Sequence, residues 1–161
     1  MLKNGLLFGS FNPLHLSHID LIGKALGYFE MLHIFARYTE GVDMVDWQTK
    51  KKWLERVNEQ FDDRLRIYKM EMLMKDKQYG NLDLTAEFLK YEKQTGVTLD
   101  GLVCGEDMQY MVDVLKASLP EKTFIVLPRD PRSSSSIRGS IDAMRPDMPD
   151  YVYKDLKERG Y

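Results

Sequence analysis

The chain has 161 residues, 43% hydrophobic and 30% charged, which suits one globular domain with a sizeable core and excludes two full ones. Its 23 basic and 25 acidic residues leave a formal net charge of −2, which argues against a polyanion-binding surface and against nucleic acid as a partner. Cys104 is the single cysteine, so no internal disulfide forms, and no apolar run reaches the length of a signal-peptide core or a membrane span; the expectation is a soluble, cytoplasmic protein without a membrane partner.

The first predicted strand covers residues 5–8 and runs into Gly9-Ser10-Phe11-Asn12-Pro13-Leu14-His15-Leu16-Ser17-His18. A helix is expected to start near His15 or Leu16, with Ile19, Ile22, Leu26 and Phe29 at helical spacing. Gly9 ends the strand where the chain turns with a ligand close to the backbone, and Pro13 stiffens the loop. His15 and His18, three apart at a helix start, point to one side. There the unpaired amides and the helix dipole favour an anion, and two imidazoles can donate to phosphate oxygens. By counting alone a structural pair, one capping and one in the core, is the simpler reading. Metal binding is disfavoured, because the only other histidine is His33 and no carboxylate lies nearby in sequence.

Residues 32–36 form the next apolar strand, followed by a helix capped by Thr49 with Trp53, Leu54, Val57 and Phe61 inward. Residues 64–68 alternate, as a half-exposed or edge strand does. Residues 70–82 read either as a loop packed over the sheet or as a mobile flap. Asp83 then caps a helix with Leu84, Phe88 and Tyr91 inward, stopped by Gly96. A strand over 99–104, a helix over 107–117 with Pro120 beyond it, and a strand over 123–127 complete the alternation. Strands alternating with helices predict an α/β fold, a doubly wound parallel sheet of about five strands. Residues 1–161 read as one domain, with 145–161 as a C-terminal helical extension.

Ser133-Ser134-Ser135-Ser136 follows the last strand, and residues 137–144 look helical. Serines at a helix start cap amides and offer hydroxyls to an anion, and Arg138 adds a planar donor fork one turn in.

Gly9-Ser10-Phe11-Asn12-Pro13 with His15-x-x-His18 resembles the H-x-G-H signature of the nucleotidylyltransferase superfamily, and Ser133 to Arg138 resembles its second signature, I-S-S-T-x-I-R. Gly105-Glu106-Asp107 is similar to the family's G-x-D turn, and the ending Met148-Pro149…Val152…Gly160-Tyr161 is similar to the terminal helix of mononucleotide adenylyltransferases. The resemblance implies a Rossmann-like fold that transfers a nucleotidyl group from a nucleoside triphosphate and releases pyrophosphate. It implies that His15 and His18 contact the triphosphate and the transition state, and that Ser10 and the backbone at Phe11 face the acceptor phosphate and α-phosphate. Gly9 and Gly105 would line the nucleotide site, Ser134, Ser135 and Arg138 would hold the β- and γ-phosphates, and Asp107 would bind a ribose hydroxyl. One of Lys50, Lys51 and Lys52, with Lys52 favoured, would reach the phosphates. Magnesium would travel with ATP, without an all-protein metal site.

Three departures mark this chain. Ser17 replaces the glycine of H-x-G-H, which implies an altered fit. Arg132 stands where an apolar residue precedes the serines and offers a further phosphate contact, and Tyr110 stands where pyridine-specific relatives often place a tryptophan. Trp53 reads as core, Trp47 as a loop residue able to stack on a base or to make an ordinary contact, and Cys104 and His33 as buried structural residues. Ser10, Asn12 and Asp130-Pro131-Arg132 resemble nicotinamide and nicotinate mononucleotide adenylyltransferases most. Phosphopantetheine adenylyltransferase is the alternative, cytidylyltransferases come third, and Ser17 motivates a fourth reading as a non-catalytic nucleotide-binding module. The partners expected are ATP and a small phosphorylated acceptor, with room for a homo-oligomer.

Overall fold

Five parallel strands form one sheet in the order β3-β2-β1-β4-β5, built from β1 (Leu2–Gly9), β2 (Phe29–Tyr38), β3 (Leu65–Glu71), β4 (Gly101–Gly105) and β5 (Thr123–Leu127). The computed structural model describes residues 1–72, 83–128 and 138–161. The central strands are buried on both faces, which is why β1 reads as a continuous apolar run: Leu7 faces one core layer, while Leu6 and Phe8 face the other. As the alternation of residues 64–68 requires, β3 is an edge strand.

One face of the sheet is covered by α1 (Leu16–Ala25), α2 (Trp47–Gln60) and α5 (Asp150–Glu158), the other by α3 (Leu84–Thr95) and α4 (Gln109–Ser118). Asp83 caps α3 by accepting from the Ala86 amide at 2.9 Å, worth about 1 kcal/mol, and Gly96 ends it with the positive φ of 71° that glycine tolerates. Val152 and Leu156 of α5 are fully buried, and Trp53 donates through Nε1 to the Asp155 carboxylate at 2.8 Å. The C-terminal segment therefore belongs to the core.

Four local expectations need correction. Phe29 opens β2 instead of continuing α1, because Gly27 and Tyr28 form a turn closed onto Lys24 and Ala25. Asp46, not Thr49, is the N-cap of α2; the Thr49 hydroxyl donates to the Asp46 carboxylate at 2.6 Å from inside the first turn. Trp47 is consequently the first helical residue and not part of a loop. The helix expected over 137–144 is helical at 138–139 among the described residues, and 141–144 form a turn, where Gly139 and the nearby Pro146 disfavour continuation.

Met70 and Glu71 extend β3 and Met72 is buried beside it, while 73–82 lie outside the described residues. Among the described residues no helix is long and apolar enough to cross a membrane.

Candidate active site

Strand order reverses its direction of growth between β1 and β4, and in open α/β sheets the crevice at the carboxyl ends of such strands is where ligands bind. The Gly9–His18 stretch leaves β1 there, and Gly105 leaves β4 there into a 3-10 turn, Glu106–Met108. Gly105 is buried and Asp107 exposed.

The turn after β1 is tightly specified. Phe11 adopts φ 45°, a left-handed conformation that costs a non-glycine residue about 1–3 kcal/mol and persists only where its surroundings impose it. Its fully buried ring lies over Gly9, where an added Cβ would come within 2.5 Å of the ring. Gly9 thus makes room for Phe11. The same ring meets His18 edge-on, with centroids 4.8 Å apart.

His15 is the N-cap of α1 and is fully buried, while His18, three residues on, is 9% exposed. Their rings stack at 3.8 Å. The His15 amide donates to His18 Nδ1 at 3.2 Å, so Nδ1 is an acceptor and the neutral ring carries its proton on Nε2.

The two signature motifs meet: Arg138 donates through Nη1 to the Asn12 carbonyl at 2.6 Å. Ser133, Ser134, Ser135, Ser136 and Arg132 lie outside the described residues.

Of the three lysines, Lys52 and Lys51 lie on the exposed face of α2, and Lys50 is the one brought to the motif. Fully buried, Lys50 donates to the carbonyls of Ser10 (2.7 Å) and Arg37 (2.9 Å) and pairs with Asp43. Burial pushes its ammonium down to about 8, against the attraction of Asp43 and with help from the Arg37 charge. Asp43 also accepts from the Thr39 amide at 2.8 Å, and the next residue, Met44, donates its amide to Asn12 Oδ1 at 2.8 Å. Sequence reasoning favoured Lys52 over Lys50, read Asn12 only through its resemblance to pyridine-specific relatives, and gave Asp43 no part. The available signal was spacing: Lys50 precedes Trp53 and Leu54 by three and four positions, which puts a lysine on the apolar stripe of α2.

Trp47 packs edge-on against Tyr38 at 6.1 Å, with Lys69 over both rings. Trp53 and Cys104 are buried as expected, and burial raises the Cys104 thiol to about 11. Tyr110 is 43% exposed at the start of α4.

His33 belongs elsewhere. It bonds Tyr91 Oη (2.5 Å) and Asn4 Oδ1 (3.0 Å) beside a cleft of about 1110 Å³ at the amino-terminal ends of β1–β3, opposite the signature motifs. Burial first, and the Arg66 charge second, lower its pKa to about 4. Among the described residues no group of three His, Cys, Asp or Glu side chains could hold a metal ion.

The fold is similar to that of the bifunctional NMN adenylyltransferase/ADP-ribose pyrophosphatase from Francisella tularensis, at 16% identity. The TM-score is 0.71 for its complex with AMP and a manganese ion and 0.73 for a second crystal structure of it. That match covers 98% of this chain and 49% of the other, so the chain spans about half of that protein. A proposed nicotinate-nucleotide adenylyltransferase from Vibrio parahaemolyticus matches over 98% of this chain and 99% of its own, with a TM-score of 0.66 and 19% identity. In sequence, a phosphopantetheine adenylyltransferase from Christiangramia forsetii is 28% identical over 109 residues, which is 68% of this chain and 64% of that enzyme. The profile of the cytidylyltransferase-like family matches residues 6–151. With that match across nearly all of the sheet and its helices, the chain belongs to the cytidylyltransferase-like family.

Proposed function

We propose that the protein is a cytoplasmic adenylyltransferase that joins ATP to nicotinamide or nicotinate mononucleotide, forming the dinucleotide and pyrophosphate. The observation that carries this reading is the 2.6 Å hydrogen bond from Arg138 to Asn12, which puts the arginine of one signature against the turn of the other. An acceptor phosphate oxygen attacks the α-phosphorus of ATP, and the bond from that phosphorus to the bridging oxygen of pyrophosphate breaks. With a second pKa of about 6 the acceptor phosphate is already largely dianionic at neutral pH, so no general base is needed. The work left to the protein is alignment and charge stabilisation.

His18 Nε2–H and the first-turn amides of α1 are the donors for the reacting phosphate, with His15 stacked behind. Gly9, Ser10, Phe11 and Gly105 are assigned to the crevice where β1 and β4 end, and Asp107, in the 3-10 turn after β4, to a ribose hydroxyl. Ser134, Ser135 and Arg138 are assigned to the β- and γ-phosphates. Magnesium enters as part of the ATP substrate complex. Phosphopantetheine as acceptor is the second reading, favoured by the Christiangramia relative.

The test is a panel of ATP or CTP against nicotinamide mononucleotide, nicotinate mononucleotide, phosphopantetheine and glycerol phosphate, followed by pyrophosphate release. Turnover confined to ATP with a pyridine mononucleotide supports the proposal. Turnover with phosphopantetheine alone establishes the second reading, and tight ATP binding without pyrophosphate in any arm leaves a binding module.

A further inference from the structure

We propose that Lys50 is the positioning residue of the phosphate-binding turn: through the Ser10 carbonyl it sets the Ser10–Phe11 peptide, and through Phe11 the ring of His18. The proposal rests on the nucleotidyl-transfer reading of this site.

Gly9 and Ala36 are the last residues in register between β1 and β2 on the motif side. Just beyond them the carbonyls of Ser10 and Arg37 both turn to the Lys50 ammonium. With Asp43 as the third acceptor, all three N–H donors of the ammonium are committed inside the protein. Lys50 therefore acts on the turn and not on a ligand phosphate, unlike a surface lysine that reaches out to the nucleotide.

The Ser10–Phe11 peptide is trans and planar, so a carbonyl aimed at Lys50 aims the Phe11 amide the opposite way, away from the buried ammonium. The left-handed φ of Phe11 then folds its ring over Gly9 and onto the edge of His18. One buried cation thus fixes both an amide and an imidazole of the site.

The groups facing Lys50 are Asp43 from the loop before α2, Arg37 and the Tyr38 ring (5.7 Å) from β2, and the Ser10 carbonyl from the turn. Burial holds the lysine at about 8. A neutral amine has two N–H donors and no charge to hold Asp43, so above that pH one of the three contacts is given up.

The experiment compares wild type with Lys50→Met and Lys50→Arg in pyrophosphate release, ATP titration and amide exchange of the Phe11 turn. Lys50→Met is expected to lower kcat about 100-fold, as misplacement of reacting groups does, with ATP affinity within about threefold of wild type. Wild-type kcat should fall above about pH 8, and Lys50→Arg should move that limb upward because the guanidinium stays charged. Exchange protection of the wild-type turn, corrected for intrinsic rates, should drop about tenfold between about pH 7 and about pH 9.5. A Lys50→Met enzyme with wild-type kcat, or turn protection that ignores pH, overturns the proposal. If Lys50→Met does not fold, the wild-type pH profile and exchange decide. If no acceptor yields pyrophosphate, the reading of the reaction fails, and the exchange measurement still decides whether Lys50 holds the turn.

Discussion

Arg138 Nη1 lies 2.6 Å from the carbonyl of Asn12, 126 positions earlier in the chain. Asn12 in turn accepts from the Met44 amide, so its two oxygens tie the second signature and the loop before α2 to the same turn. Three segments far apart in sequence converge where β1 ends.

Replacing His18 with alanine should lower turnover by about two to three orders of magnitude, the usual consequence of losing a preorganised donor to developing charge. ATP affinity should change far less. Steady-state pyrophosphate release with a parallel ATP titration checks both, and unchanged turnover would falsify the assignment.

Arg138→Ala acts on binding. Loss of a charge-assisted phosphate contact should raise the apparent KM for ATP about tenfold or more, while the fold survives because the residue is outside both core clusters. Comparing KM for ATP with the thermal midpoint separates a lost ligand contact from a loosened turn.

His33 sets an acid-stability window. The unfolded imidazole titrates near 6.5 and the folded one near 4, so between these values the unfolded chain binds more protons. The stability His33 provides as a neutral group is complete above about pH 6.5, falls as pH drops through the window, and by about pH 4 has lost about 3 kcal/mol. Urea midpoints measured from about pH 7 down to about pH 4 should slope less steeply in His33→Gln, which has no charge to gain. Equal slopes in the two proteins would remove His33 from the account.

Asp43→Ala leaves the Lys50 ammonium buried without its anion, a change expected to destabilise the fold by about 3 kcal/mol. Without Asp43, whose charge and hydrogen bond raise the lysine, Lys50 sheds its proton below about 8, so the deficit should shrink as pH rises toward about 8 and level off beyond it. Denaturant unfolding at two pH values reads both effects.

The sequence by itself determined the layered architecture and marked the turn after β1 as the candidate site. Continuous apolar runs such as Leu6-Leu7-Phe8 serve both faces of a parallel sheet, helical spacing marks the covering helices, and Asp83 and Gly96 state where α3 begins and ends. The histidine pair was legible because it depends on local geometry, residues three apart at a helix start. Tertiary structure decided what depends on contacts between distant segments. It buried Lys50 and left Lys51 and Lys52 exposed, since only helix phase relative to the sheet says which of three adjacent lysines faces inward. It gave Asp43 and Asn12 their partners, and it moved the start of α2 back to Asp46, where Arg159 from the end of the chain donates to both Asp46 and Thr49. Those contacts join the first, middle and last parts of the chain, and no periodicity in a single segment encodes them.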